Sequence, residues 1–371
     1  PYDARMAALS RRAFLSSGIA LGMLALAGCG QGATASPPAT SPATSAAAGG
    51  GASAKPAASP ASSAAGAAPR VRAAWVALTA NQLIWPLAKD AGYFDKYGVN
   101  FDLQYIQGSG TATQTMIAKE IDMAGMAGSA VVGAQAAGAD VIMVAGFLNQ
   151  SVWRILGSSA IKSLDDLKGK TVAVTKVGNA DYFAWKIVAD KQGWKETDFK
   201  YVAGGTPAGQ AALLQSGNVQ ALAVSPPNDV LAERAGAHLV FDTSSLHLPE
   251  QQTGMTLTKT YLAQNRATAL NVLKASIEGI ARWKADPAFA KGVIKKYLKD
   301  DDQTFINAGY DAYAPLWAQP PYPSRDGFQT TIGESVAQNP KAKNVTPDQC
   351  IDLSLVKELV DSGFIKKIDG G

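Results

Sequence analysis

Short apolar runs alternate with amphipathic stretches along most of this chain, and this alternation limits the possible folds more than any other feature. Strands are predicted at Val71–Leu78, Phe101–Ile106, Met123–Ala127, Val141–Ala145, Val152–Leu156, Thr171–Thr175, Lys200–Ala203, Val219–Val224 and His238–Phe241. Helical stretches separate most of them, a pattern typical of α/β proteins with mainly parallel sheets. After Tyr261 the pattern is mostly helical. The sequence therefore predicts two successive α/β units, each an open sheet flanked by helices, and a helical C-terminal tail.

Small polar side chains recur where these strands give way to helices. They are Asn81, Ser109, Ser129, Asn179, Thr206 and Ser225. In open parallel sheets, ligands bind at the carboxyl ends of the strands, beside the amino ends of helices. A helix cap explains any one of these residues equally well, but their repetition at equivalent places predicts a binding site. Free N–H groups at helix amino ends suit an anionic group, such as a carboxylate, a sulfonate or nitrate.

Other side chains near the same turns allow two interpretations each. Lys176 and Arg154 are candidate contacts for an anion, or ordinary surface charges. Asp181 is expected to complement a helix dipole, and the alternative is a hydrogen bond to an amine or a pyrimidine amino group. A group of aromatic residues forms either core or a stacking wall for a flat ligand; these are Trp75, Trp85, Trp153, Tyr182, Phe183 and Trp185.

The first 28 residues have the pattern of an export signal. Ser10–Leu15 contains paired arginines and resembles the twin-arginine signal, and an apolar run follows at Gly18–Leu26. Leu26–Cys29 resembles the bacterial lipobox, which predicts that Cys29 is lipidated. The apolar run is shorter than the ~20 residues that cross a bilayer, so a cleaved signal is favoured over a membrane anchor. Met6 is the expected start of translation.

Residues 29–69 are predicted to be a flexible tether. They are almost entirely Ala, Ser, Pro, Gly and Thr, and such a segment buries too little apolar surface to fold. With Cys29 lipidated, the other cysteine, Cys350, has no disulfide partner and is expected to be packed. The predicted location is the outer face of a bacterial membrane, with the lipid as the membrane contact.

Composition and motifs argue against several classes of protein. A net charge of +4 over 371 residues is too weak to indicate nucleic-acid binding. The chain has two histidines, His238 and His247, and no nucleophile-elbow, metalloprotease or thiol-redox motif. Gly108–Thr113 fails the dinucleotide pattern, and Gly169–Thr171 lacks the leading glycine of a phosphate loop. We therefore expect no catalytic residues, no metal and no cofactor.

Four segments in order carry a family resemblance. They are Trp85–Val99, Gly125–Ser129 after Lys119–Asp122, Leu164–Val174 and Ala211–Ala221. Together they resemble the nitrate-, sulfonate- and taurine-binding proteins of ABC importers, and the wider family that includes binders of thiamine-pyrimidine precursors. The ordered set spans about residues 71–260, while the tail beyond Tyr261 matches weakly.

The resemblance implies a periplasmic-binding-protein type II clamp with two lobes. Residues 70–150 with 255–371 would form lobe one and residues 151–254 lobe two, joined by crossovers near Leu148–Val152 and Gln252–Leu257. A monomer of this kind would close on a small organic anion and deliver it to the permease and ATPase subunits of an importer. The alternatives are a lipid-tethered receptor that feeds a sensor, and a binder of a pyrimidine-type thiamine precursor.

The same resemblance places the ligand against loops from both lobes. The predicted binding residues are Thr79, Asn81, Gln82, Ser109, Gly110, Gly128, Ser129, Asn149, Gly178, Asn179, Tyr182, Thr206, Ser225 and Asn228.

Overall fold

A computed structural model describes residues 68–336 and 338–370 of the chain. The export signal, Cys29 and the tether up to residue 67 lie outside the described residues. The strands within them are β1 (Arg70–Trp75), β2 (Asn100–Tyr105), β3 (Met123–Met126), β4 (Val141–Gln150), β5 (Arg154–Gly157), β6 (Thr171–Val174), β7 (Lys200–Ala203), β8 (Ala221–Val224), β9 (His238–Asp242) and β10 (Pro249–Thr258). The nine predicted strands are all present, and β10 was not predicted.

Helices connect these strands and account for most of the described residues after β10. They are α1 (Ile84–Asp90), α2 (Tyr93–Lys96), α3 (Ser109–Ile117), α4 (Gly128–Ala136), α5 (Ala180–Gln192), α6 (Pro207–Gln215), α7 (Asn228–Arg234), α8 (Lys259–Ala285), α9 (Pro287–Leu298), α10 (Gln303–Tyr313), α11 (Arg325–Ser335), α12 (Pro347–Cys350), α13 (Ser354–Asp361) and α14 (Phe364–Asp369). Short 3₁₀ turns occur at Ala80–Gln82, Leu164–Leu167, Glu196–Asp198, Thr243–Leu246 and Pro340–Asn344. In the described part of the chain, no helix combines the length and apolar character needed to cross a membrane.

The strands form two five-stranded sheets that share one order of connection. The first sheet has the order β2-β1-β3-β10-β4 and the second has β7-β6-β8-β5-β9. In each sheet four strands run in one direction, and the fourth strand in the order, β10 or β5, runs against its neighbours. The predicted α/β class with mainly parallel strands and a helical C-terminal region is confirmed, with pairings that are mixed because of this one reversed strand.

The chain passes from one sheet to the other twice. Residues 151–153 join β4 to β5, and residues 243–248 join β9 to β10. The two connections lie side by side, because Ser151 Oγ and Thr243 Oγ1 are 2.7 Å apart and the Thr243 N–H donates to the Trp153 carbonyl at 2.9 Å. The second crossover predicted at Gln252–Leu257 therefore falls within β10, a strand of the first sheet.

Both faces of each sheet are covered by apolar side chains. Helix α8 packs on the first sheet, where Trp85 Nε1 donates to Ser276 Oγ at 2.9 Å. This helix begins directly after β10, where Thr258 caps it by accepting from the Tyr261 N–H at 3.0 Å. Cys350 is buried, as expected for a packed residue, and burial raises the pKa of its thiol to about 12.

Candidate ligand-binding cavity

A cavity of about 100 Å³ lies between the two sheets, at the carboxyl ends of their parallel strands. Its walls come from the turns that follow β1, β2 and β3 in the first sheet and β6, β7 and β8 in the second. A cavity needs roughly 10–15 Å³ of such space to hold one water, so this one has room for a small organic molecule. The strand-end turns of both α/β units therefore line the same cavity.

Half of the residues predicted for the site line this cavity. They are Thr79, Asn81, Gln82, Ser109, Asn179, Thr206 and Ser225. Several of them also hold the local structure. For example, the Gln82 amide accepts from the Val76 N–H at 3.2 Å and donates to Thr253 Oγ1 at 3.2 Å. The Thr206 hydroxyl caps α6 by accepting from the Gly209 N–H at 3.0 Å. The polar side chains at the strand ends therefore combine capping with a position on the cavity wall.

Three other predicted residues are engaged in packing instead. Gly128 lies against β10, where a Cβ atom would come within 2.8 Å of the Gln251 Cβ. The Asn149 amide donates to the Tyr322 carbonyl at 2.9 Å. Tyr182 is buried in the core of the second sheet, with its ring 4.7 Å from that of Tyr201. None of the three lines the cavity. Each packs against, or hydrogen-bonds to, another part of the protein.

The remaining four predicted residues also lie off the cavity wall. Gly110 and Gly178 are exposed, and Ser129 is half-buried in the first turn of α4. Asn228 is buried and links the two halves, because its Nδ2 donates to the Leu78 carbonyl at 3.1 Å. Asn228 therefore serves the closure of the cavity rather than its lining.

Contacts across the cavity join the two halves directly. Besides the bond of Asn228, Gln107 Nε2 on the turn after β2 donates to the Gly205 carbonyl on the turn after β7. The Tyr313 hydroxyl of α10 donates to the Pro226 carbonyl at 3.0 Å. The structure therefore has the two sheets drawn together over the cavity.

The cavity walls are mostly apolar. Val76, Leu78 and Val224 contribute aliphatic surface, and Tyr105 and Trp153 contribute aromatic surface. Of the six aromatic residues considered for a stacking wall, only Trp153 lines the described cavity. The others pack elsewhere in the described chain.

Among the residues that the structure describes, one charged side chain lines the cavity, and it is a carboxylate. Asp181 is 5 % exposed and sits in the first turn of α5. Its carboxylate accepts from the Thr175 N–H, from Thr175 Oγ1 at 2.8 Å and from Gln210 Nε2 at 2.8 Å. Desolvation raises the pKa of this carboxyl to about 6, although its three hydrogen bonds act in the opposite direction. At neutral pH the cavity therefore carries one buried negative charge.

Neither cation considered in the sequence reaches the cavity. Arg154 instead forms an ion pair with the buried Asp229, and its Nε lies 3.4 Å from Asp242 Oδ2. Lys176 is exposed. No lysine, arginine or histidine is among the described residues of the cavity wall.

The helices that begin at the cavity differ in how their amino ends are satisfied. Helix α6 begins with Pro207, which has no N–H, and α5 carries Asp181 in its first turn. Helix α3 begins at Ser109 and has neither a side-chain cap nor an acidic residue in its first turn. Because the first N–H groups of a helix lack partners within it, α3 offers an amino end able to receive an anionic group. Helix α4, whose N-cap Ala127 lines the cavity, likewise has neither a side-chain cap nor an acid in its first turn.

Sequence reasoning missed five polar side chains of the wall. Tyr105, Gln107, Thr175, Gln210 and Gln252 all line the cavity. Gln210 was accessible to such reasoning, because it follows the predicted Thr206 by four residues and so lies on the same helix face. Among the described residues, no group of three or more His, Cys, Asp or Glu side chains is arranged to hold a metal ion.

Known proteins similar to this chain share its fold. The family model described as NMT1/THI5 like matches residues 81–290, which is more than half of the chain. No curated protein matches the chain in sequence.

Three solved structures illustrate the likeness. The alkanesulfonate-binding protein SsuA from Xanthomonas axonopodis pv. citri, bound to MOPS, superposes with a TM-score of 0.65 and 19% identity, over 76% of this chain and 98% of that one. The periplasmic aliphatic sulphonate binding protein SsuA from Escherichia coli gives 0.58 and 22%, over 67% and 85%. The periplasmic nitrate-binding protein NrtA from Synechocystis PCC 6803 gives 0.63 and 14%, over 79% and 88%.

Proposed function

The chain belongs to the NMT1/THI5-like family, as its sequence resemblance indicated, and we propose that it is the extracytoplasmic solute-binding component of an ABC importer. The observation that carries this proposal is a cavity between two sheets of identical connection order, with hydrogen bonds across it. Such an arrangement closes around a ligand and opens to release it. The similar structures named as periplasmic binding proteins support the same role.

In this proposal the two lobes are built on the two sheets, residues 70–150 with 249–370 and residues 154–242, so the predicted boundary at residues 254/255 moves to the start of β10. The lobes move about the paired crossover segments, residues 151–153 and 243–248. The hydrogen bonds of Thr243 with Ser151 and Trp153 tie those segments together, which favours rotation about them over separation. A closed clamp presents a different surface to the membrane subunits than an open one, so the permease and its ATPase receive the signal that a ligand is bound. A ligand drives this change only by binding the closed state more tightly.

The proposed ligand is a small organic molecule with an anionic group. The free amino end of α3 at Ser109 supports this, because it offers N–H donors without a competing acid. The apolar and aromatic walls support an organic ligand over a bare inorganic ion, since they would contribute little to holding nitrate. The proteins of similar structure are named for binding sulfonates and nitrate.

The proposed location is outside the cytoplasm, with the protein held to the membrane by a lipid on Cys29. The lipobox at Leu26–Cys29 and the tether of residues 29–69 support this. A random coil of ~40 residues spans roughly 30–40 Å, enough to let a monomeric clamp reach its permease. We propose no enzymatic role, because no histidine, cysteine or lysine is among the described residues that line the cavity.

A thermal-shift screen tests the proposal directly. The protein is heated with alkane- and arylsulfonates, taurine, nitrate, aromatic carboxylates and pyrimidines, one at a time. A true ligand at 100 times its Kd stabilises the folded state by about 2.7 kcal/mol. The role in solute capture is refuted if no compound in such a panel raises the melting temperature.

Matched variants of α3 and α5 then locate the binding site. Ser109→Ala and Asn179→Ala are expected to weaken binding several-fold without unfolding the protein, because both side chains line the cavity. Gln114→Ala is the control, since Gln114 lies on α3 but is exposed. Equal affinity in all three variants would place the ligand elsewhere.

A further inference from the structure

We infer that the ligand carries a nitrogen group that donates hydrogen bonds, such as an ammonium, an amidine or an amino group on a ring, and that this group binds Asp181. The inference rests on the proposed function, because it assigns the chemistry of one end of the same cavity. The ligand would then have two polar ends, with an acidic group toward α3 and a nitrogen group at Asp181.

The first step is a charge that lacks a partner of opposite sign. Asp181 is 5 % exposed and lines the cavity, yet no cation is among the described residues that line it with Asp181. Buried charges in proteins are normally paired, because burying an isolated one costs several kcal/mol. One other buried carboxylate near the cavity, Asp229, is paired with Arg154, and a second, Glu250, lies behind the wall and accepts from the lining side chains Trp153 and Gln252. Asp181 is thus left for a partner that enters the cavity.

The second step is the orientation of the groups around Asp181. Three protein donors hold the carboxylate, one on Oδ1 and two on Oδ2, so acceptor capacity remains on Oδ1. Gln210 donates a hydrogen bond from Nε2 to Asp181, and its Oε1 is buried without a hydrogen-bond partner. Two adjacent cavity-lining side chains therefore have acceptor capacity to spare. The complementary ligand group is one that presents N–H donors.

The third step concerns what this end of the cavity rejects. A sulfonate or carboxylate beside Asp181 would place two like charges together in a poorly solvated space, which is strongly unfavourable. The amino end of α5 cannot offset this, because Asp181 itself already occupies that dipole. An anionic group is therefore confined to the α3 side, and a purely anionic ligand leaves the Asp181 side unsatisfied.

The test uses compound pairs that share an acidic group and shape but differ by a nitrogen donor. Suitable pairs are 2-aminoethanesulfonate with propane-1-sulfonate, 3-aminopropanoate with butanoate, and 4-aminobenzoate with 4-methylbenzoate, within a wider library built on the same rule. Retention by the protein is measured by native mass spectrometry, and Kd by calorimetry for each retained compound. We expect the nitrogen-bearing member to bind at least tenfold more tightly, as a hydrogen bond to a charged group requires.

Two variants make the result specific to Asp181. In Asp181→Asn the amide oxygen can accept from Thr175 N–H and Gln210 Nε2 while the amide nitrogen donates to Thr175 Oγ1, so the variant is expected to fold. It should lose the tenfold preference for the nitrogen-bearing member. Asp190→Asn is the control, because Asp190 lies on the same helix but is exposed and paired with Lys186. It should keep the preference.

The possible outcomes separate the two proposals. Equal binding of both members of each pair, or a preference that survives in Asp181→Asn, overturns this inference and leaves solute capture standing. Retention of no compound from the library counts against solute capture itself, and the inference is overturned with it.

Discussion

Replacing Asp181 by asparagine is expected to stabilise the ligand-free protein at neutral pH. The wild-type carboxylate is buried without a cation, held by Thr175 and Gln210. The amide keeps these hydrogen bonds by turning its oxygen toward the two N–H donors, and it removes the buried charge. A site built to receive a ligand is thus predicted to be strained while empty, as is common where binding and stability compete.

The size of the effect follows from the pKa of the carboxyl. Burial raises the pKa from 3.8 to about 6, so the folded protein binds this proton more readily than the unfolded chain does. Stability from this group therefore falls as pH rises from about 4 to about 6, and the cost is complete above that range. A pKa difference of about 2 between the folded and the unfolded state lowers the free energy of unfolding by about 3 kcal/mol at neutral pH, as an order of magnitude. Of this, about 2 kcal/mol develops between about pH 4.5 and pH 7.5.

Urea unfolding followed by tryptophan fluorescence measures the difference. Trp185 lies on the same helix as Asp181 and is fully buried, so it reports on this half of the protein. The advantage of Asp181→Asn over wild type should grow by about 2 kcal/mol between about pH 4.5 and pH 7.5. Asp190→Asn should show no such growth, because Asp190 is exposed. An advantage that does not change with pH would refute the argument that Asp181 is a buried, unpaired charge.

Three further substitutions probe packing, pairing and closure. Gly128→Ala should destabilise the protein by about 1–3 kcal/mol in urea unfolding, because its methyl group would lie 2.8 Å from a side-chain carbon of β10; Gly133→Ala on the same helix meets nothing within 4 Å and should be neutral or stabilising. Arg154→Met leaves Asp229 buried and unpaired, and should cost about 3–5 kcal/mol while leaving ligand affinity in the surviving folded protein unchanged. Asn228→Ala removes a bond across the cavity and should weaken ligand binding about fivefold, with a larger radius of gyration by X-ray scattering.

Local sequence patterns predicted the strands and the turns that meet at the cavity, because each depends on nearby residues. Strand β10 escaped prediction for a physical reason. Its first half, from Glu250 to Thr253, is polar like a loop, yet all four side chains are buried. Three of them have partners distant in sequence: Glu250 accepts from Trp153 Nε1, Gln251 accepts from the Ser324 N–H, and Thr253 accepts from Gln82 at 3.2 Å. No local pattern contains that information.

The candidate site shows the same division. The backbone positions at strand ends follow from the fold class, which is why Ser109, Asn179 and Thr206 reach the cavity wall. The direction of a side chain depends on its neighbours in space. The sequence alone therefore left Arg154 as a candidate ligand contact, whereas in the structure it is paired with Asp229. Asp181 was expected to complement its helix dipole. That no cation lies beside it on the described cavity wall depends on residues distant in sequence, so no local pattern predicts it.

The reversed strand β10 has a consequence for how the protein is made. All five strands of the second sheet lie within residues 154–242, whereas the first sheet needs residues 249–258 to fill the gap between β3 and β4. During synthesis the first sheet therefore starts earlier but is completed later, after the whole second sheet has emerged. Until then β3 and β4 each present an unpaired edge, the kind of surface that promotes aggregation. A chain cut short before Pro249 would retain every strand of one sheet and expose two open edges in the other.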